Sequence, residues 1–169
     1  SERTEEDSID KFAQTVLSRS PTFRKVLAIN IPKTRAFMHL DTVFTQIDTD
    51  KYTVHPAILG PLTVYEITPG DSDPAELKIR RIDSDLEHIL EEYTHTDKVK
   101  LIYCGGSDPI AAAREQWNDG SNTLCVAPGK IIVYRRNDVT NDILRGEGLT
   151  VLEMPSAELS RGRGGPRCM

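Results

Sequence analysis

The stretch NTLCVAPGKIIVYRRNDVTNDILRGEGLTVLE, residues 122–153, holds one complete small α/β unit. Asn122 to Ala127 and Lys130 to Tyr134 are short apolar runs on either side of Pro128-Gly129, the pattern of a β-hairpin. Asn137 stands where a helix N-cap belongs, and the helix it opens reaches about Arg145 before Gly146 and Gly148 end it. Leu149 to Glu153 then reads as a third strand. The order is strand, strand, helix, strand.

The same order recurs about 80 residues upstream, where Asp41-Thr42-Val43 falls against Asn122-Thr123-Leu124. There Phe37 to Ile47 and Lys51 to His55 read as strands around the polar turn Asp48-Thr49-Asp50. Ser84 to Tyr93 reads as the helix, with Leu86, Ile89, Leu90 and Tyr93 on one face and capping-box spacing between Ser84 and Glu87. Val99 to Tyr103 is its closing strand, followed by a Gly105-Gly106 turn and a short helix from Pro109 to about Gln116. A further strand pair lies at about Leu62 to Ile67 and Glu76 to Ile82. Before the first unit, Thr4 to about Ser18 reads as an amphipathic helix. Its apolar face carries Ile9, Phe12, Val16 and Leu17, and Thr4 with Asp7 forms a capping-box-like start; Lys25 to Asn30 is a strand. Two ββαβ units would need neighbours to cover their apolar faces; two unrelated αβ layers are the other reading of the same pattern.

Composition narrows the class. The chain has 169 residues and a net charge of −5, which suits one domain and argues against a nucleic-acid binder. No apolar run approaches the length of a membrane span, and the carboxylate-rich start is no signal peptide. Cys104, Cys125 and Cys168 are too few and too far apart for a disulfide framework or a zinc ribbon, and favour a reducing compartment. His55, His88 and His95 have no metal-ligand spacing, so neither a metal nor a cofactor is expected. Without an initiator Met, and stopping one residue past a Cys in a Gly/Arg-rich loop, the chain reads as a fragment.

Several residues could carry chemistry. On a strand, His39 and Asp41 would share one face, about 6.5 Å apart, although alone the pair reads more simply as a surface His beside a turn carboxylate. Cys168 closes SRGRGGPRC (160–168), where three Arg would lower a thiol's pKa and the glycines would let the backbone approach a ligand or move as a gate. Arg3 precedes a helix N-terminus, a place suited to an anion. WNDGSNT (117–123) offers Asx turns and reads more simply as a structural turn. Cys104 and Cys125 read as small core residues.

Taken together, MHLDTVFT (38–45), REQWNDGSN (114–122) and ELSRGRGGPRC (158–168) strongly resemble the arginine deiminases, collinearly over the whole chain. The resemblance implies the pentein fold, a five-bladed α/β propeller of ββαβ repeats. Residues 1–169 would be the C-terminal part of its single catalytic domain, about two repeats plus flanking pieces. It further implies hydrolysis of L-arginine to L-citrulline and ammonia in the cytoplasm, with Cys168 as nucleophile through a thiouronium intermediate and His39 as acid/base. Asp41 would bind the guanidinium, Arg3 the α-carboxylate, and Arg163 the same end of the substrate from a mobile loop. A homo-oligomer is expected of the whole protein, with no nucleic-acid or membrane partner. A second Asp and a Glu of the family's site would lie upstream of Ser1, so the isolated segment is expected to be inactive or nearly so. A related guanidine deiminase, an amidinotransferase or a non-catalytic arginine-binding module stand as alternatives.

Overall fold

A computed structural model describes residues 4–34, 36–71, 73, 76–162 and 164–168. In chain order its elements are α1 (Glu6–Arg19), β1 (Val26–Ile29), β2 (Phe44–Gln46), β3 (Lys51–Val54), β4 (Leu62–Pro69), β5 (Leu77–Ser84), α2 (Leu86–Thr94), β6 (Lys100–Tyr103), α3 (Pro109–Trp117), β7 (Leu124–Ala127), β8 (Lys130–Tyr134), α4 (Asp138–Gly146) and β9 (Thr150–Met154). They divide into two compact units. One takes in the chain up to His39 together with Gly60–Leu86; the other takes in Leu40–Leu59 and the chain from Glu87 onward. Among the described residues no helix is long and apolar enough to cross a membrane.

The first unit is an antiparallel sheet in the order β1-β4-β5, covered by α1. Ala13 and Leu17 of α1 pack on Ile67, with Ile9, Val26, Ala28 and Leu77 around them. Phe12, expected on this face, is 60% exposed instead, because the stripe against the sheet runs through Ile9, Ala13 and Leu17, and Phe12 lies about 100° round the helix from Ala13. Glu5 is the N-cap and its side chain makes no cap bond. Buried Glu66 receives Lys25 Nζ at 2.8 Å and Arg80 Nε at 3.0 Å, which answers the cost of desolvating a carboxylate. Ser84 does not cap α2: it is the last residue of β5, paired with Leu62.

The second unit contains two sheets with the same order and sense. β2 runs antiparallel to β3 and β3 parallel to β6; likewise β7 runs antiparallel to β8 and β8 parallel to β9. Even the bond that starts each parallel pair is repeated, Lys100 N–H to the Asp50 carbonyl at 2.8 Å and Thr150 N–H to the Gly129 carbonyl at 2.8 Å. Ile47, Ile102, Ile131, Val133, Leu144 and Leu149 form the core beneath both sheets. Each such side chain, fully buried, contributes roughly 1.5–3 kcal/mol. The expected strand from Phe37 to Ile47 is much shorter. Leu40–Thr42 is a 3-10 turn, closed by Val43 N–H to the Leu40 carbonyl at 3.1 Å, and only Phe44–Gln46 is strand.

Two contacts fix α3 and α4. Gly105 has φ +73°, and a Cβ there would lie 2.3 Å from the Ala112 backbone, so only glycine allows α3 to approach this closely. Asn137 occupies the N-cap of α4 but makes no cap bond, because its side chain donates to the Asn118 carbonyl at 3.0 Å. Glu115, a fully buried carboxylate on α3, caps α4 in its stead. It accepts Val139 N–H at 3.1 Å, Thr140 N–H at 2.8 Å and the Thr140 hydroxyl, with Arg114 Nη2 at 2.9 Å as counter-ion. The partial positive charge at a helix N-terminus favours an anion there. Replacing Glu115 by Ala leaves these buried donors unsatisfied and should cost about 1–3 kcal/mol per orphaned group. Glu115→Gln, which keeps one acceptor, should lose less. Urea denaturation checks the ranking, and an alanine variant as stable as the parent would contradict it.

Candidate active site

The site is built from three segments of the second unit. Asp41 lies in the 3-10 turn Leu40–Thr42, whose carbonyls are tied from outside. Gln116 Nε2 donates to the Thr42 carbonyl at 2.8 Å, and the Thr45 hydroxyl to that of Asp41 at 3.2 Å. Asn122 follows the polar turn after α3. Asp119 has φ +58° there, a conformation Asp tolerates better than most residues, and its carbonyl accepts Asn122 N–H at 3.0 Å. The third segment is the Gly/Arg-rich loop, a 3-10 turn at Leu159–Gly162 followed by the residues up to Cys168. Tyr134 of β8 donates its hydroxyl to the Gly164 carbonyl at 2.7 Å, and Cys168 N–H reaches the Gly165 carbonyl at 3.0 Å.

These segments meet at the Asn122 side chain, which is 0% exposed. Its Nδ2 lies 3.1 Å from the Asp41 carbonyl, 3.1 Å from Asp41 Oδ2 and 3.2 Å from Cys168 Sγ. Its Oδ1 accepts Arg167 N–H at 3.1 Å. The thiol is 3.6 Å from Asp41 Oδ2 and can donate to it. Gly165 makes the fit possible, since a Cβ there would stand 2.3 Å from Asn122 Oδ1.

The electrostatics reverse one expectation. Burial pushes the Cys168 thiol up from its ordinary value. The Asp41 charge and the bond to its carboxylate push the same way, against relief from Gly165 and Asn122. None of the groups acting on the sulfur among the described residues is a guanidinium, and Arg161 is engaged with Glu158 at 3.2 Å. Neighbours in sequence need not be neighbours in space, and the carboxylate reaches the sulfur where Arg161 and Arg167 do not. Around this pair, Asp119 is raised by burial and by Asp41, with Arg136 opposing. Tyr134 is raised by burial, then by Asp119 and Cys168, again with Arg136 opposing; that guanidinium lies 5.6 Å from the Tyr134 ring centre. The surroundings thus disfavour further negative charge and favour a cation.

Of the expected site residues, Asp41 and Cys168 come together as described. His39 is the last residue of the first unit, exposed and in a bend. It shares no strand face with Asp41, because the bonds from Gln116, Thr45 and Asn122 turn the chain at 40–42 out of any ladder. Arg3 and Arg163 lie outside the described residues. Cys104 is buried and its thiol raised by that burial, while half-buried Cys125 reaches the Ile47 carbonyl at 3.4 Å. The residue that sequence reasoning missed is Asn122, taken there for part of a structural turn. The signal that could have found it is its alignment with Asp41 across the two units.

Because Asp41 disfavours the anionic sulfur, Asp41→Asn should lower the Cys168 midpoint, and alkylation at a fixed pH below that midpoint should speed up. Iodoacetamide labelling against pH, with the modified peptide identified by mass, measures this. An unchanged or raised midpoint would count against the assignment.

Comparison with known proteins adds a second line to this geometry. The sequence profile of the family described as Arginine deiminase matches residues 1–169. A Treponema denticola arginine deiminase is 61% identical over 170 residues, covering all of this chain and 41% of that protein. A Clostridium perfringens arginine deiminase is 56% identical over 171 residues and a Bacillus cereus one 54% identical over 172, again across the whole chain. The chain therefore spans about 41% of the length of these curated relatives. With Cys168, Asp41 and the motifs around them inside a match that runs from one end to the other, the chain belongs to the arginine deiminase family.

Proposed function

We propose that the protein containing this chain hydrolyses L-arginine to L-citrulline and ammonia through a covalent intermediate on Cys168. The observation that carries the reading is the placement of Cys168 Sγ 3.6 Å from Asp41 Oδ2, with a shared amide donor on both. A guanidinium is a poor electrophile because resonance spreads its charge, so a site must orient it before a nucleophile can attack. Asp41 supplies an anion for its N–H groups, and Cys168 supplies the sulfur beside it.

The chemistry follows in two steps. The Cys168 thiolate attacks the guanidinium carbon, and collapse of the tetrahedral adduct expels ammonia and leaves an S-alkylthiouronium. Water then attacks the same carbon, the C–S bond breaks, and citrulline leaves with Cys168 restored. His39 delivers the proton that ammonia needs and later receives one from the water. Arg3 binds the substrate's α-carboxylate, and Arg163 engages that end from its loop. The direction of the thiol's pKa supports a further point. Burial and the Asp41 charge both raise the thiol, and a guanidinium laid against Asp41 offsets the second of these, so the substrate itself favours the thiolate.

The resemblance supports the rest of the reading. The whole protein would be a five-bladed α/β propeller with one catalytic domain, cytoplasmic and homo-oligomeric, with a second Asp and a Glu contributed from outside this chain. The segment alone would then be inactive or nearly so. The test is citrulline formation from L-arginine by this chain alone and by the chain refolded with the N-terminal portion of a relative such as the Treponema denticola protein. Citrulline from the mixture only, and none with Cys168→Ser, is the expected result. Turnover by the chain alone would show the external carboxylates dispensable. A folded mixture that binds arginine without turnover would point to a binding module, and another product to a different guanidine-modifying activity.

A further inference from the structure

Asn122 is a fully buried side chain in direct contact with both Cys168 and Asp41. We propose that Asn122 is a positioning residue for the reaction: its side-chain amide donates to Cys168 Sγ and to Asp41, holding the sulfur beside the carboxylate and supplying the hydrogen bond a thiolate needs. The inference rests on the arginine deiminase reading.

Three observations carry it. First, the amide has two N–H donors and faces three acceptors at 3.1–3.2 Å, two on Asp41 and one on Cys168. With no exposure, the amide itself has no water to turn to. Second, the carbonyl end accepts Arg167 N–H, so the loop is held one residue before the nucleophile by the same side chain that touches its sulfur. Third, the surroundings leave Asn122 a role that no charged group among the described residues fills. Among those residues the titratable groups around the sulfur are Asp41 from the 3-10 turn and Tyr134 from β8. Behind them stand Asp119 from the loop after α3 and Arg136 from the loop after β8. Asp41 opposes the sulfur anion, as Tyr134 would on ionising, and Arg136 acts on Asp119 and Tyr134 rather than on the sulfur. Relief at the sulfur comes from two uncharged groups, Gly165 and Asn122. An amide suits this position where a carboxylate would not, because it stabilises the sulfur anion without repelling Asp41.

The test uses the whole protein that contains this chain, with Asn122→Ala and Asn122→Asp. Asn122→Ala should raise the pH midpoint of Cys168 alkylation and slow labelling below it about ten- to a hundredfold, the worth of a hydrogen bond to a charged group. Arginine kcat should fall in parallel, with KM moving less. Asn122→Asp keeps the acceptor for Arg167 N–H, so the loop stays anchored, and its added carboxyl should raise the midpoint further. If the alanine variant does not fold, the aspartate variant decides. A midpoint that stays put in either folded variant overturns the proposal, however far kcat falls, because loss of a merely structural contact moves activity and not the titration. Failure of the parent reading looks different: the wild-type protein forms no citrulline, or Cys168→Ser retains activity, while the alkylation profile still shows whether Asn122 acts on the sulfur.

Discussion

A buried amide must satisfy its own donors and acceptor, and at Asn122 that requirement orders the site. With no water to turn to, its Nδ2 engages Asp41 and Cys168, residues 81 and 46 positions away in the chain, and its Oδ1 engages Arg167 N–H. Leaving any of these unmade would cost about 1–3 kcal/mol. The Asp41 turn and the Gly/Arg-rich loop are thus fixed to one point. Other features serve that point. Gly165 is glycine because a Cβ would strike the Asn122 carbonyl group, and Tyr134 takes hold of the loop one residue earlier at Gly164.

The repetition of the fold explains why Asp41 and Asn122 meet at all. β2-β3-β6 and β7-β8-β9 have the same order and the same sense, and Asp41 and Asn122 immediately precede Thr42-Val43 and Thr123-Leu124 at corresponding places. Two copies of one unit packed over a common core bring their corresponding ends together, much as symmetric subunits meet through equivalent patches. The two side chains at that meeting point differ, a carboxylate and an amide. The pair can therefore hydrogen-bond, where two carboxylates would repel. The candidate site sits where corresponding ends of the two sheets meet.

What the sequence disclosed, and what it did not, divides along the same line. The hairpin at 124–134, the helix at 138–146 and the closing strand were legible because each is specified by local pattern: apolar runs, a Pro-Gly turn, glycines after a helix. The errors fall where a distant residue overrides the local signal. The chain at 37–47 reads as one strand until the bonds from Gln116, Thr45 and Asn122 turn it at Asp41. Asn137 has the chemistry of a cap, yet Glu115, 22 positions upstream of Asn137, does the capping. Cys168 has arginines beside it in sequence, yet among the described residues the charge that reaches its sulfur belongs to Asp41. Cys168 and Asp41 were nevertheless singled out as candidates, through long motifs rather than through any geometry the sequence could supply, and their side chains lie together.

The direction of that last effect bears on selectivity. Burial first, and then the charge of Asp41, raise the Cys168 thiol and favour its neutral, weakly nucleophilic form. Such a site does not discriminate by pocket shape alone, because any small electrophile could reach an exposed sulfur. Charge adds a condition. A cation seated against Asp41 would offset the part of that opposition that the carboxylate supplies, and a neutral group would not. A carboxylate so placed serves two ends: it offers an anion to a bound cation, and without one it opposes the sulfur anion.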